Sequence, residues 1–231
     1  MSFFSDISAI QNIVYIFSSI LFISGIKMLG KEDTAVRGNF LSASAMFIAV
    51  AVTIINVVNP VIVLIGVSIG AVIGSLIALR VKMTSIPEMV ALFNGFGGLA
   101  TFFIAWSEFN AIPDNVFQFI VIMLTTYIGG VTFSGSIIAY GKLSEKLKVK
   151  KDSFVTKIFT TFFYASILFL VYSIGFTEII ELPINFYTVL LILTLLGGIG
   201  FVIPIGGGDM PVVISLLNSF SGIAAAFAGL L

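Results

Sequence analysis

The sequence predicts an all-α fold, a polytopic transmembrane helix bundle of about eight spans with its N-terminus outside. Hydrophobic residues make up 59% of the 231 residues, charged residues make up 10%, and the mean hydropathy is +1.20. Apolar runs recur at the roughly 20 residues that a helix needs to cross a hydrocarbon core of about 30 Å. Because these runs are continuous and do not alternate, they favour helices over a transmembrane β-barrel.

The eight predicted spans are separated by short polar connections. The first span is expected to stay in the mature protein, because its leader MSFFSDIS carries Asp6 and no positive charge, unlike a cleavable signal peptide. Together the spans predict one transmembrane domain over residues 1–231. They lie near residues 8–26, 39–58, 60–79, 87–107, 115–140, 154–175, 185–204 and 211–231.

The charged residues predict how the spans are oriented. The basic residues follow spans one, three and five or lie just inside span six: Lys27, Lys31, Arg37, Arg80, Lys82, Lys142, Lys146, Lys148, Lys150, Lys151 and Lys157. The opposite connections hold only acids, namely Glu108 and Asp114 after span four and Glu178 and Glu181 after span six. The positive-inside rule then places the N-terminus outside and Asp209 on the cytoplasmic side.

Several kinds of chemistry are excluded by residues that the sequence lacks. It contains no Cys and no His, so it has no disulfide framework, no thiolate and neither the usual proton relay nor the commonest metal ligand. The lysine-rich stretch 142–151 is an orientation signal, with contact to anionic membrane lipid as a second role. We expect no metal site and no nucleic-acid partner.

Two segments 124 residues apart resemble each other, "IPEMVALFNGFGGLA" at 86–100 and "GGGDMPVVISLLNSFSG" at 206–222. Pro87 aligns with Pro211 and Asn94 aligns with Asn218, within the pattern P-x-x-[VI]-x-L-[LF]-N-x-F-x-G. A parallel internal repeat is the preferred interpretation, and a chance match in so biased a composition is the alternative. Proline is tolerated at the first position of a helix, so both prolines are predicted to mark helix starts.

The two asparagines are the candidate polar groups within the membrane. Seven residues separate each from its proline, which places each amide about 10 Å into its helix. A glycine follows four residues later, and Asn218, Gly222 and Ala226 form a strip of small residues that predicts helix packing. We therefore expect both asparagines to face the bundle interior. Each could serve an interhelical hydrogen bond alone or a polar pathway.

Asp209 precedes Pro211 at the predicted start of the last helix, where a carboxylate meets the positive end of the helix dipole. Helix capping and a functional role are both open for Asp209. Glu88 lies in the first turn of its own helix and is predicted to compensate the dipole. Residues Gly206 to Gly208 lack the spacing of a phosphate-binding turn and are predicted to form a hinge at the membrane surface.

Three segments resemble the membrane domain of the beta subunit of proton-translocating NAD(P) transhydrogenase: 86–100, 206–222 and "GGVTFSGSIIAYGKL" at 129–143. In that family hydride passes between NAD(H) and NADP(H) outside the membrane, coupled to proton movement through the helices. The resemblance implies that Asn218 takes part in proton passage and that Asp209 couples the bundle to the NADP-binding domain. It implies a bacterial or archaeal plasma (inner) membrane.

Two departures from the family limit this inference. Many members have a proton-handling histidine in the segment matching 86–100, where this chain has Asn94, so a membrane helix of an alpha subunit is expected to supply that histidine. The family continues through a ninth helix into a soluble NADP-binding domain, whereas this sequence ends at Leu231. We therefore expect a fragment or a split subunit without a cofactor site of its own, working with NADP and NAD in a dimeric complex.

Two other function classes are open from the residues alone. A secondary transporter or channel for a small solute would also use paired helices with polar groups at mid-depth. Such a protein would be expected to have discontinuous spans and a charged group at mid-depth. A structural subunit would explain the small-residue faces but would leave the two matched asparagines without a role.

Overall fold

The computed structural model describes residues 2–55, 57, 59–111, 113, 115–150, 153–175 and 184–231. These residues form α-helices joined by short connections, with no β-strand among them, so the predicted all-α fold is confirmed. The helices are α1 Ser2–Leu29, α2 Glu32–Ile54, α3 Pro60–Arg80, α4 Ile86–Asn110, α5 Val116–Leu143, α6 Phe154–Gly175, α7 Ile184–Val202 and α8 Met210–Ala228.

Each predicted span corresponds to one of these helices, but the bounds of the first two differ. The span predicted at 8–26 belongs to α1, and the span predicted at 39–58 belongs to α2, which begins at Glu32. Glu32 and Asp33 occupy the first turn of α2, where acids are favourable, so this helix begins ahead of its apolar run. Within the described part of the chain, seven helices are long and apolar enough to cross a membrane, and the segment Phe186–Val202 of α7 is a shorter apolar helix.

The chain divides into two compact units, and the first is Met1–Arg80. Here α1 packs against α2 with close backbone contact, since a Cβ on Gly38 would lie 2.7 Å from the Gly25 carbonyl oxygen. Gln11 Nε2 donates a hydrogen bond to the Val52 carbonyl at 3.0 Å. α3 buries none of its residues within the chain.

The second unit is Val81–Leu231, and α5 is its central helix. α4, α7 and α8 all pack against α5, and α6 packs against α7. Glycines permit a close crossing of α4 and α5, because a Cβ on Gly98 of α4 would lie 2.9 Å from the Gly129 carbonyl oxygen of α5.

The starts of α4, α6 and α8 meet the ends of α5 and α7 at one end of this unit. Lys142 in the last turn of α5 binds backbone carbonyls at the end of α7, and Gly200 of α7 lies against the Phe159 carbonyl of α6. This end carries every described basic residue of the unit: Lys82, Lys142, Lys146, Lys148, Lys150 and Lys157. The structure thus agrees with the predicted charge segregation, while the membrane side stays a prediction. Asp114, Glu178 and Glu181 lie outside the described residues.

Two apolar clusters fill the interior of this unit. The first lies toward the end that carries the lysines and consists of Ala91, Ala139, Val202, Met210, Val213, Ile214 and Leu217. The second lies toward the opposite end and consists of Ala105, Phe119, Ile122, Met123, Leu170, Tyr187 and Leu190. Polar side chains at intermediate depth therefore have apolar layers on both sides along the bundle axis.

Candidate functional site

The backbone repeats the local structure that the two similar segments predict. A 3₁₀ turn at Met83–Ser85 leads into α4, and a 3₁₀ turn at Gly207–Asp209 leads into α8. Both helices carry proline in their first turn. Ser85 has φ −99 and ψ 6, and Asp209 has φ −91 and ψ 0, so the residues before the two helices have nearly the same conformation. The predicted repeat therefore extends from the sequence to the backbone.

Asn94 is the centre of a buried polar cluster that joins three helices. Its Nδ2 donates a hydrogen bond to Ser136 Oγ of α5 at 3.1 Å. Ser221 Oγ of α8 donates to Asn94 Oδ1 at 2.7 Å. Asn94 is 9% exposed and Ser136 is 1% exposed, while Ser221 is partly buried. We call these three residues the Asn94 triad.

The triad uses both ends of one amide, as carbonyl acceptor and as N–H donor. Along the bundle axis, the triad lies about one helical turn beyond Ala91 and Leu217 of the first apolar cluster. It lies on the near side of Ala105, which belongs to the second cluster. The expectation that Asn94 faces the interior is confirmed. Sequence reasoning did not single out Ser136 or Ser221, although both fall within the quoted segments.

Asn218 does not face the interior of this chain, and that expectation was wrong. Its side chain is exposed, as are Gly222 and Ala226 of the small-residue strip, and a Cβ on Gly222 would meet nothing within 4 Å. α8 instead buries a bulky apolar face, formed by Met210, Val213, Ile214, Leu217 and Ala224. The repeat is therefore not symmetric in its packing, and Ser221, three residues after Asn218, approaches Asn94.

Asp209 is exposed at the N-cap position of α8, and its side chain makes no capping hydrogen bond. Capping by a side-chain hydrogen bond therefore does not explain this carboxylate. The glycines that precede it, Gly206 to Gly208, are exposed as well. Glu88 lies in the first turn of α4, as predicted for dipole compensation.

The triad, Asp209 and Asn218 occupy three different environments along the two repeated helices. Asn94, Ser136 and Ser221 are brought together by hydrogen bonds, whereas Asn218 lies on the exposed side of α8 and Asp209 at its start. Among the residues that the structure describes, no group of three or more His, Cys, Asp or Glu side chains could hold a metal ion. The polar chemistry of this site therefore rests on amide and hydroxyl groups.

Comparison with known proteins identifies the family. The profile of the family described as NAD(P) transhydrogenase beta subunit matches residues 11–231. Two relatives from Rhodospirillum rubrum, each named NAD(P) transhydrogenase subunit beta, are 33% identical to this chain over 227 residues. The match covers 93% of this chain and 48% of each relative, so the chain spans about half the length of these relatives. This chain, an integral membrane protein, belongs to the NAD(P) transhydrogenase beta subunit family.

Proposed function

We propose that this chain is the proton-conducting membrane part of a transhydrogenase, in which proton movement across the membrane is coupled to hydride transfer between NAD(H) and NADP(H). The observation that carries the proposal is the Asn94 triad, a buried polar cluster between two apolar layers in a chain of this family. Residues 1–231 form the translocating domain, and the nucleotide sites lie in other domains of the complex.

The triad has the chemistry of a hydrogen-bonded relay whose three side chains stay uncharged. Hydroxyl groups both donate and accept hydrogen bonds, so Ser136 and Ser221 can pass a proton to an adjacent water or acid. The Asn94 amide does not ionise near neutral pH, and its role is to hold the two hydroxyls in line. The chain has no His, so a histidine beside the triad would come from another chain.

The exposed strip of α8, formed by Asn218, Gly222 and Ala226, is the surface on which a helix with such a histidine could pack. Asn218 and Ser221 are three residues apart and so lie on adjacent faces of the helix. A membrane helix of an alpha subunit packed on Asn218, Gly222 and Ala226 would bring its histidine beside the triad. Small residues suit such packing because they let two helices approach closely.

The end that carries Asp209 is the proposed contact with the NADP-binding domain. Asp209 is an exposed acid at the start of the helix that also carries Ser221 and Asn218. A domain that binds differently to Asp209 in its two nucleotide states would shift α8 between two positions. We propose that the complex is dimeric and works in a bacterial or archaeal plasma membrane.

Asn94→Leu tests the proposal in the complete complex, with the alpha subunit and the NADP-binding domain, reconstituted in vesicles. The change removes the amide partner of Ser136 and leaves Ser221 only the longer bond to the Asn94 backbone carbonyl at 3.5 Å, at a cost of about 1–3 kcal/mol. We expect proton uptake and gradient-driven NADP reduction to fall together by at least about tenfold. The matched control is Asn110→Leu at the exposed end of the same helix, where the amide donates to the Trp106 carbonyl of its own helix at 2.9 Å. Equal rates for the two variants would refute the role of the triad.

Asn218→Leu tests the exposed strip separately. We expect coupled turnover to be lost in the complete complex with little change in the thermal stability of the isolated chain, because Asn218 is exposed there. Ser219→Ala is the control, since this neighbouring hydroxyl donates to the Ser215 carbonyl of its own helix, at 3.1 Å. Normal coupled rates in the Asn218 variant would exclude it from the pathway.

A further inference from the structure

The ammonium group of Lys142 lies at the end of α7, although Lys142 belongs to α5. Its Nζ donates to three backbone carbonyl oxygens: Val202 at 3.3 Å, Ile203 at 2.5 Å and Ile205 at 2.5 Å. The last carbonyls of a helix have no partner within the helix and carry its partial negative charge. An ammonium has three N–H donors and no acceptor, so its bonding capacity matches the three carbonyls.

These carbonyls begin the connection that carries Asp209. Ile203 and Ile205 follow α7 directly and lead through Gly206 into the 3₁₀ turn Gly207–Asp209. Packing does not hold the glycines, because a Cβ on Gly207 or Gly208 would meet nothing within 4 Å. The backbone hydrogen bonds here are local, as in Asp209 N–H to the Gly206 carbonyl at 3.2 Å. Lys142 therefore ties a loosely packed connection to the central helix.

The same helix also holds the Asn94 triad. Ser136 precedes Lys142 by six residues on α5, a rise of about 9 Å. A single rigid helix thus binds the triad through Ser136 and the α7–α8 connection through Lys142. Lys142 and the connection also line one cleft of about 240 Å³, together with Glu145 and Leu147.

We propose that Lys142 is a positioning residue for coupling, an inference that rests on the proposed function. It fixes the α7–α8 connection against α5. When the NADP-binding domain displaces Asp209, the anchored end of α7 then stays in place and the connection bends at its glycines. The displacement therefore moves α8, which carries Ser221, relative to α5, which carries Ser136. An ordinary helix cap would also place a lysine at the end of a helix. The two roles differ in what is lost with the ammonium: a cap contributes stability alone, whereas a positioning residue also contributes to the link between proton movement and nucleotide reduction.

The test compares Lys142→Met, which keeps the apolar stem, with Lys142→Arg, which keeps the charge on a planar group that cannot match three converging carbonyls. The control is Lys146→Met, because Lys146 is exposed and its Nζ lies 3.3 Å from Tyr140 Oη of the preceding helix. The complete complex is reconstituted in vesicles. The readouts are the rate of NADP reduction with and without a proton gradient, and thermal stability.

We expect Lys142→Met to lower the stimulation by the gradient at least about tenfold while transhydrogenation without a gradient stays within twofold of the parent. Lys142→Arg should lose part of the stimulation, and Lys146→Met should lose none. Full stimulation in Lys142→Met, whatever its thermal stability, would overturn the inference and leave Lys142 as a cap. If Lys142→Met does not assemble, Lys142→Arg decides, and full stimulation there overturns the inference. A parent complex without stimulation would refute the proposed function, and the inference with it.

Discussion

Replacing Gly98 with alanine tests whether the close crossing of α4 and α5 sets the geometry of the Asn94 triad. A Cβ on Gly98 would lie 2.9 Å from the Gly129 carbonyl oxygen and 3.0 Å from both Phe133 N and Thr132 Cβ. Comfortable contacts begin near 3.5 Å, so the helices must separate by roughly half an ångström. The bond between Asn94 and Ser136, now 3.1 Å, lies one turn away. The same separation would stretch it to about 3.6 Å, beyond hydrogen-bond distance.

Gly97→Ala is the control that separates the cost of overpacking at Gly98 from the general effect of replacing glycine with alanine in a helix. Alanine is favoured over glycine within a helix by about 1 kcal/mol, and this gain applies to both variants. Gly97 is exposed, and a Cβ there would meet nothing within 4 Å. Overpacking a tight interior costs about 1–3 kcal/mol. Of the two variants, only Gly98→Ala carries this cost. The difference in stability between the two variants should therefore be about 1–3 kcal/mol.

The assay uses the complete complex in vesicles, with thermal unfolding and proton-coupled NADP reduction measured for both variants. We expect Gly98→Ala to unfold at a lower temperature than Gly97→Ala and to show coupled turnover slower by about tenfold, which corresponds to about 1.4 kcal/mol. Gly97→Ala should match the parent. If the two variants are equally stable and equally active, the crossing does not control the triad, and the reasoning from its geometry is refuted.

Three further predictions concern charged residues outside the triad. Asp209→Asn should leave thermal stability nearly unchanged, because this side chain makes no capping hydrogen bond, but should weaken gradient-driven NADP reduction; unchanged coupling would remove Asp209 from the proposal. Single cysteines at Lys148 and Asp114 should react with impermeant reagents from opposite sides of the membrane, and labelling of both from one side would contradict the predicted orientation. Glu145 has φ 55, a left-handed conformation, so Glu145→Gly should be more stable than Glu145→Ala by about 1 kcal/mol; equal unfolding temperatures would contradict this.

Much of the fold follows from features that act locally along the chain. Apolar runs long enough to span a membrane predict helices because unpaired backbone groups are costly in lipid. Pro87 and Pro211 predict helix starts because the missing N–H group is harmless there. The bounds were less accurate where a helix continues into polar sequence, as at the start of α2.

The candidate site was only partly predictable, because the side of a helix that is buried depends on its neighbours. Asn94 and Asn218 occupy equivalent places in the repeat, yet only Asn94 is buried. A strip of small residues indicates a surface suited to close packing but does not say which helix covers it. Ser136, Ser221 and Lys142 form bonds to residues at least 60 positions away or on other helices, and no local pattern marks such pairs.

The shared direction of α4 and α8 has an electrostatic consequence. Both helices start at the end of the unit that carries the lysines, so their peptide dipoles are parallel and their positive poles, each equivalent to about half a charge, lie on the same side. At the end of α7 the opposite pole is bound by Lys142. In the proposed pathway, a proton that moves toward this end therefore travels against the field of α4 and α8. Glu88 and Asp209, the acids at the starts of those helices, place negative charge beside these poles and lower that barrier.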